Sequence, residues 1–161
     1  MADLENTLYL DVPAGRVVIE MRPDLAPAHV AQIKALARKG FYDGIVFHRV
    51  IDGFMAQTGC PQGTGTGGSG NKIKGEFSDE KHVRGVCSMA RTMDPNSADS
   101  QFFIMFAPAP SLDRQYSVWG KVTSGMEYID AIKKGDPRRN GSVTDPDRII
   151  SLKVAADVDK A

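Results

Sequence analysis

The sequence has no excess of charge of either sign, very few cysteines and no long hydrophobic run. Lys and Arg together number 20, as do Asp and Glu, so no bulk electrostatic field exists to attract nucleic acid or an anionic membrane. No apolar run approaches the length of a membrane span. We therefore expect no nucleic-acid partner and no membrane partner. The balanced charge and the lack of a coiled-coil pattern favour a monomer.

The two cysteines, Cys60 and Cys87, lie far apart and form no Cys-x-x-Cys motif. Buried or half-buried thiols are the simpler interpretation, although spacing alone does not exclude a disulfide between them. The first residues include two acids but no basic segment and no apolar segment, so no signal peptide is visible. These features together favour a reducing, cytoplasmic location.

Signatures of metal, nucleophile and phosphate chemistry are also missing. The three histidines have no metal-ligand spacing, and no Gly-x-Ser-x-Gly elbow occurs. A Gly-x-Gly-x-x-Gly pattern runs from Gly65 to Gly70, but neither a helix start nor a Gly-Lys-Ser/Thr sequence follows it. A surface loop with glycines at positive φ is therefore favoured over a nucleotide site. We expect no metal and no cofactor.

Alternating apolar residues predict strands along most of the chain, including a hairpin around Asp52-Gly53. The eight predicted strands cover residues 7–12, 16–21, 46–50, 53–57, 86–90, 101–106, 117–122 and 148–154. Helical periodicity occurs twice. Pro27 opens one helix that runs to about Lys39, and Ser124 with Glu127 forms a capping box for the other. This pattern predicts a mostly β fold, a closed eight-stranded antiparallel β-barrel capped by two α-helices.

The most informative segment is residues 47–57, Phe-His-Arg-Val-Ile-Asp-Gly-Phe-Met-Ala-Gln. Arg49 stands inside a strongly apolar hairpin, where composition alone would favour an edge-strand arginine that points to water. The nearby Phe54, Met55 and Gln57 favour another interpretation, an apolar surface that carries one fixed charge and one amide.

Two further segments add to this pattern. Gln101 and Phe103 share one face of a predicted strand, and Ser-Leu-Asp at 111–113 precedes the strand that contains Trp119. These motifs, together with Gly-Thr-Gly-Thr-Gly-Gly, Ser-Met-Ala and Trp-Gly-Lys-Val, occur in the order and spacing of the cyclophilin family. The chain closely resembles the compact bacterial cytoplasmic branch of that family over about residues 7–155.

The resemblance implies an eight-stranded antiparallel barrel with a helix at each end, and peptidyl-prolyl cis-trans isomerase activity that assists protein folding. We expect one domain over residues 1–161, with its core over about 7–155. Proline-containing peptides and protein clients would be the partners. Matched residue by residue, Arg49 would be the catalytic arginine. The implied substrate-binding residues are Phe54, Met55, Phe103 and Leu112 around the proline, Gln57 and Gln101 on the substrate backbone, and Gly65, Ala90, Arg91 and Thr92 along an adjoining groove.

Two more expected substrate-binding positions depart from the animal family members that bind cyclosporin A. Ser111 stands in place of a tryptophan, which removes a large amphipathic contact, and Tyr116 stands in place of a histidine. Tyr116 can still close the pocket with an aromatic ring. We therefore expect weak binding of cyclosporin A. Arg91 stands where many members have asparagine, and one extra residue precedes Ser100, so the groove departs from the family pattern at this point.

An isomerase of this kind makes and breaks no bond. The prolyl nitrogen regains a lone pair only when the amide is twisted, so a donor aimed at that nitrogen stabilises the transition state selectively. Arg49 fits because a guanidinium is always charged and only donates. The alternative is a proline-peptide binding module without turnover, which would need the apolar pocket but not Arg49 with both glutamines.

Overall fold

The computed structural model describes residues 4–65 and 67–159, and eight strands in it form one antiparallel sheet. The strands are β1 (Thr7–Val12), β2 (Gly15–Met21), β3 (Arg49–Ile51), β4 (Met55–Thr58), β5 (Val86–Met89), β6 (Phe102–Met105), β7 (Val118–Ser124) and β8 (Ser151–Val154). Their order across the sheet is β3-β4-β6-β5-β7-β2-β1-β8. The described α-helices are α1 (Pro27–Arg38), α2 (Met126–Asp130) and α3 (Ala155–Val158). The prediction of a mostly β fold is confirmed.

The sheet is open, so the prediction of a closed barrel is wrong. Its outer strands are β3 and β8, and the segments before them meet in an isolated bridge between Val46 and Arg148. The amide of Phe47 also donates to the carbonyl of Asp147 over 2.9 Å. The amide of Ile149 donates to the carbonyl of Ile45 on the other side of the bridge (2.7 Å), and the contact is classed as an isolated bridge outside the named strands. The two outer strands are therefore linked by their approach segments and not by a ladder.

The helices also correct the sequence prediction, since there are three and not two in the described residues. Ser124 is the last residue of β7, and Gly125 takes the N-cap position of α2 with a φ of 82°. A Cβ at Gly125 would lie 2.5 Å from the carbonyl oxygen of Arg16, so only glycine fits there. The predicted capping box of Ser124 and Glu127 is therefore wrong, and the short α3 had no periodic signal.

Helix α1 behaves as predicted and covers the main core. Its apolar residues Val30, Ile33 and Leu36 are buried, as expected for a stripe at helical spacing. The core also contains Trp119, whose ring meets Phe102 edge to face with centroids 5.3 Å apart. Trp119 is thus a core residue.

Strand β6 separates two apolar clusters. Phe102 and Ile104 belong to the main core, whereas Phe103 and Met105 belong to a smaller cluster with Met55. This division follows from the alternation of side chains along a strand. The smaller cluster therefore lies on the opposite face of β6 from the core, and partly buried residues such as Phe54, Leu112 and Tyr116 pack against it.

Cys60 and Cys87 are buried and carry free thiols, which answers the question that their spacing left open. Within residues 4–65 and 67–159, none of the helices combines the length and the apolar character that crossing a membrane requires.

Candidate active site

One row of paired residues crosses four adjacent strands. Arg49 in β3 lies opposite Gln57 in β4, which lies opposite Phe103 in β6. Phe103 in turn lies opposite Ser88 in β5. The register of the sheet thus places a cation, an amide and an aromatic ring side by side, although they are far apart in sequence.

The guanidinium of Arg49 is held by three acceptor oxygens from two residues. Its Nε donates to the carbonyl oxygen of Asn140 (2.9 Å) and its Nη2 donates to the Asn140 side-chain oxygen (3.0 Å). Its Nη1 donates to Oε1 of Gln57 (3.1 Å). Three of the five N–H groups are therefore used, and two remain free to meet a ligand. Burial lowers the pKa of Arg49, but an arginine in a protein stays protonated at neutral pH.

A chain of amides continues from Arg49 to the glycine-rich loop. Gln57 donates through Nε2 to Oε1 of Gln101 (2.9 Å). Gln101 donates both of its amide hydrogens, to the carbonyls of Gly65 (3.0 Å) and Gly67 (2.9 Å). One N–H of Gln57 and one lone pair on Gln101 are left over. The network therefore fixes three side chains and still offers a donor and an acceptor.

A small cavity of about 180 Å³ opens beside this network. Its lining residues are Arg49, Phe54, Met55, Gln57, Ala90, Arg91, Phe103, Leu112 and Tyr116. Phe103 and Tyr116 meet edge to face with ring centroids 5.6 Å apart. The cavity is smaller than a typical pocket for a drug-sized ligand, so it suits one small ring.

A larger groove of about 540 Å³ adjoins the small cavity and shares Gln57, Ala90 and Arg91 with it. Its other lining residues are Gly65, Gly67, Gly68, Gly70, Lys72, Thr92, Ser97, Asp99 and Gln101. The carboxylate of Asp99 accepts the amide hydrogens of Ser69 and Gly70, each over 2.9 Å. The glycine run therefore forms a folded loop that borders the groove.

That loop has the geometry expected of a glycine-rich turn. Gly63, Gly65 and Gly70 take positive φ angles of 69°, 89° and 91°. In the described residues, no helix begins between Gly70 and Pro110, so the helix N-terminus that a nucleotide fingerprint requires does not follow the loop.

Most of the predicted site residues meet at these two cavities. Ser111 differs because its side chain is exposed and does not line either cavity, whereas its neighbour Leu112 does. A short 3₁₀ turn over Pro110–Leu112 separates the two orientations. Ser111 thus stands beside the small cavity without forming its wall.

Sequence reasoning missed a buried layer behind Phe103. The His82 ring lies 6.2 Å from the Phe103 ring in a stacked arrangement and 6.3 Å from the Tyr116 ring, edge to face. Its Nε2 is 3.0 Å from Oγ of Ser88, and its Nδ1 is 3.2 Å from Oδ1 of Asp113. Burial lowers the pKa of His82, and the nearby Asp113 carboxylate opposes that shift. A neutral ring therefore supports both aromatic residues.

Asn140 was also missed. It lies 91 positions from Arg49 in a loop whose Gly141 approaches Arg49 closely: a Cβ on Gly141 would lie 2.5 Å from Ile51 and 3.3 Å from Cγ of Arg49. Gly141 has a φ of 80°, which glycine adopts without strain. The Arg-Asn-Gly sequence at 139–141 resembles a turn signal, and nothing local in it points to Arg49.

The site thus combines a held cation with an apolar floor and two amides. No group of three or more His, Cys, Asp or Glu side chains in residues 4–65 and 67–159 is arranged to hold a metal ion.

Comparison with known proteins identifies the family. The sequence profile described as "Cyclophilin type peptidyl-prolyl cis-trans isomerase/CLD" matches residues 7–154. The chain belongs to the cyclophilin family of peptidyl-prolyl cis-trans isomerases. A protein named "Probable peptidyl-prolyl cis-trans isomerase" from Brucella suis is 54% identical over 97% of this chain and 86% of its own length. "Peptidyl-prolyl cis-trans isomerase B" from Bacillus subtilis is 46% identical over 83% of this chain and 94% of its own.

Solved cyclophilin structures have the same fold. The cyclophilin AquaCyp293 from Hirschia baltica superposes with a TM-score of 0.87 at 30% identity, covering 99% of this chain and 77% of its own. A cyclophilin from Cryptosporidium parvum, crystallised in the presence of the dipeptide Ala-Pro, superposes with a TM-score of 0.85 at 29% identity. That comparison covers 92% of this chain and 98% of the other. The predicted family and isomerase function are confirmed.

Proposed function

We propose that this cyclophilin isomerises X-Pro peptide bonds through a hydrogen bond from Arg49 to the prolyl nitrogen of the twisted amide. Amide resonance sets a rotational barrier of roughly 18–20 kcal/mol, while cis and trans X-Pro forms differ by only about 0.5–1 kcal/mol. The catalyst therefore needs to stabilise the twisted state and has almost no net free energy to supply. The observation that carries the proposal is the charged Arg49 donor, held by Asn140 and Gln57 at the edge of the small cavity.

The transition-state stabilisation that the reaction requires can be compared with the free energy that a fixed hydrogen-bond donor contributes. An acceleration of about 10⁵ corresponds to roughly 7 kcal/mol of transition-state stabilisation. One hydrogen bond in water contributes about 1 kcal/mol. A donor that is already fixed in a partly desolvated site costs little reorganisation and contributes much more. Three bonds fix the guanidinium of Arg49 and leave two donors free, which fits this requirement.

The proline ring would be gripped by the apolar side of the small cavity. Phe103 and Met55 are buried, and Phe54, Leu112 and Tyr116 close the sides. Such a grip is non-directional, so it holds the ring while the acyl group turns.

The two glutamines would hold the substrate backbone. The remaining N–H of Gln57 can donate to a substrate carbonyl, and the remaining lone pair of Gln101 can accept a substrate N–H. Gly65, Ala90, Arg91 and Thr92 would border the chain that leaves the small cavity. No step in this scheme transfers a proton, so no histidine is needed to act as an acid or base.

The proposed partners and cellular location follow from the residues of the site and from the free thiols. Proline-containing peptides and unfolded or folded protein clients would be the partners, and cyclosporin A would bind weakly because Ser111 offers no large ring. The free thiols of Cys60 and Cys87 are compatible with a reducing cytoplasm. We further propose that the chain acts as a single-domain monomer.

Turnover on a short Ala-Pro peptide tests this function. We expect the wild-type protein to accelerate cis-trans exchange, measured by NMR exchange spectroscopy without a coupled protease. Binding of the peptide without any acceleration would contradict the proposal and favour a proline-binding module. An Arg16→Ala variant, which removes an exposed arginine on β2, provides the matched control and should turn over like wild type.

A further inference from the structure

The wall shared by the small cavity and the groove contains a second arginine, Arg91. Its Nε and Nη2 donate to the carbonyl of Gln115 over 3.1 and 2.6 Å, and its Nη1 donates to the carbonyl of Thr92 over 2.9 Å. Its guanidinium carbon lies 4.7 Å from the centre of the Tyr116 ring and 5.8 Å from that of Phe77. The side chain is therefore held in place before any ligand arrives.

The charge of Arg91 is not neutralised by these bonds. All three donor bonds end on neutral carbonyl oxygens within the described residues. Since a guanidinium has five N–H groups, two remain available. A cation that is fixed in advance and keeps free donors binds a carboxylate at a low cost in side-chain entropy.

The rest of the groove offsets this charge only in part. Its carboxylate, Asp99, accepts the amide hydrogens of Ser69 and Gly70 and so points its oxygens into the glycine loop. Lys72 adds a second cation to the lining. The lining therefore holds two cations and one carboxylate, a net formal charge of +1, and the carboxylate oxygens are turned toward the loop.

The order of the polar groups indicates which part of a substrate enters the groove. On the proposed function, the prolyl nitrogen faces Arg49, and the preceding residue is attached to that nitrogen. Hydrogen bonds run from Arg49 through Gln57 and Gln101 to the loop that borders the groove. A backbone that follows these amides would carry the residues before the proline past Arg91. Because Arg91 lines both the small cavity and the groove, we assign it to the second or third residue before the proline, where the chain passes from one to the other.

We infer that Arg91 makes this cyclophilin selective for substrates with an acidic side chain at the second or third residue before the proline. Aspartate or glutamate there would pair with the two free donors of Arg91, and Lys72 would add to the attraction. A lysine at the same position would be repelled. The inference rests on the proposed function and names the substrate class for the same site.

The test uses peptides that share Ala-Pro and carry Glu, Gln or Lys at the second or the third residue before the proline. For wild type we expect KM to be about fivefold lower for Glu than for Gln at one of these positions, and higher still for Lys, with kcat little changed. An effect of this size is typical of a partly exposed ion pair. The preference should shrink when NaCl rises from about 0.05 to 0.5 M.

Variants assign the preference to Arg91. Arg91→Gln should bring the ratio of kcat/KM between the Glu and Lys peptides close to one, and Arg91→Lys should keep part of it because the charge stays while the fork is lost. Circular dichroism and thermal unfolding check that each variant folds. If Arg91→Gln does not fold, Lys72→Gln and the salt series on wild type supply the readout, since both should reduce the Glu preference.

The outcomes separate this inference from the proposed function. Equal kcat/KM for the Glu, Gln and Lys peptides in wild type, at both positions, would overturn the inference and leave the isomerase function intact. A preference that survives in Arg91→Gln would also overturn it. If no peptide is turned over, the proposed function fails, and calorimetric binding of the same peptides still tests whether Glu is preferred.

Discussion

The small cavity has two walls that are built differently. The polar wall consists of Arg49 and Gln57, joined by a hydrogen bond of 3.1 Å, and Gln57 in turn donates over 2.9 Å to Gln101, which lines the adjoining groove. The apolar wall consists of Phe103 and Tyr116, whose rings pack against each other and against the buried His82. Directional bonds fix where a donor points, whereas packing fixes only a shape. We therefore expect the polar wall to set kcat and the apolar wall to set KM and part of the folding stability.

The largest effect should come from the polar wall. Arg49→Ala should lower kcat/KM by at least about a hundredfold, and mainly through kcat, because the donor acts in the transition state. Arg49→Lys should also lose most activity, since an ammonium cannot keep the bonds to Asn140 and Gln57 at once. Protease-free exchange NMR provides the rates. Arg16→Ala is the control. Wild-type rates in either Arg49 variant would show that the polar wall does not set kcat.

Truncating the apolar wall should act on stability as well as on substrate binding. Phe103 is 5% exposed, so Phe103→Ala should cost about 3 kcal/mol of unfolding free energy and raise KM by about tenfold. Urea denaturation and peptide titration measure the two effects. Phe77 is 43% exposed, and Phe77→Ala should change the unfolding free energy by less than about 1 kcal/mol. Equal losses in the two variants would contradict the packing role of Phe103.

An intermediate effect is expected beside the apolar wall. Ser111 is exposed next to Leu112, which lines the small cavity. Ser111→Trp should supply a large amphipathic contact and tighten cyclosporin A binding by about tenfold, as measured by calorimetry. Wild type should bind this ligand weakly, so a nanomolar dissociation constant for the unmodified chain would contradict the prediction.

The smallest expected effect is the pH dependence of the unfolding free energy that comes from His82, which packs against the apolar wall. Burial lowers the pKa of His82 relative to 6.5, so the unfolded chain takes up its proton first as pH falls. The stability contributed by the neutral ring is complete above pH 6.5 and declines as pH falls from there through the folded-state pKa. Denaturation at pH 7.5 and 5.5 should therefore show a smaller decline in His82→Gln than in wild type.

The contribution of a second histidine, His48, to the pH dependence of stability must be separated from that of His82. The pKa of His48 is also lowered by burial, with a contribution from Arg49, so His48→Gln serves as the matched comparison. An unchanged decline in His82→Gln would show that His82 does not titrate with folding. Because no proton is transferred in the reaction, wild-type kcat should stay nearly constant between pH 6.5 and 8.5.

The residues of the polar wall could be predicted from the sequence more readily than the residues that hold the site in place, such as His82 and Asn140. Arg49 and Gln57 belong to one hairpin, so alternation and the turn at Asp52-Gly53 determine their register. Gln101 and Phe103 share a short apolar segment that also alternates. Local periodicity therefore suffices for these four residues.

The supports depend on contacts that no local pattern encodes. His82 and Asp113 lie in loops 31 positions apart, and Asn140 reaches Arg49 across 91 positions. The gap between the outer strands β3 and β8 was likewise not predictable from a local pattern, because the segments before these strands meet at an isolated bridge between Val46 and Arg148. Strand periodicity gave eight strands but carried no information about how the first and last strands of the sheet would meet.

The most direct test of the account separates binding from rotation in Arg49→Ala. Line-shape and exchange NMR on an Ala-Pro peptide yields the dissociation constant and the rate at which bound cis and trans forms interconvert. The account predicts a dissociation constant within about threefold of wild type and interconversion slower by at least about a hundredfold. Interconversion at the wild-type rate, with the peptide bound, would contradict the role of Arg49.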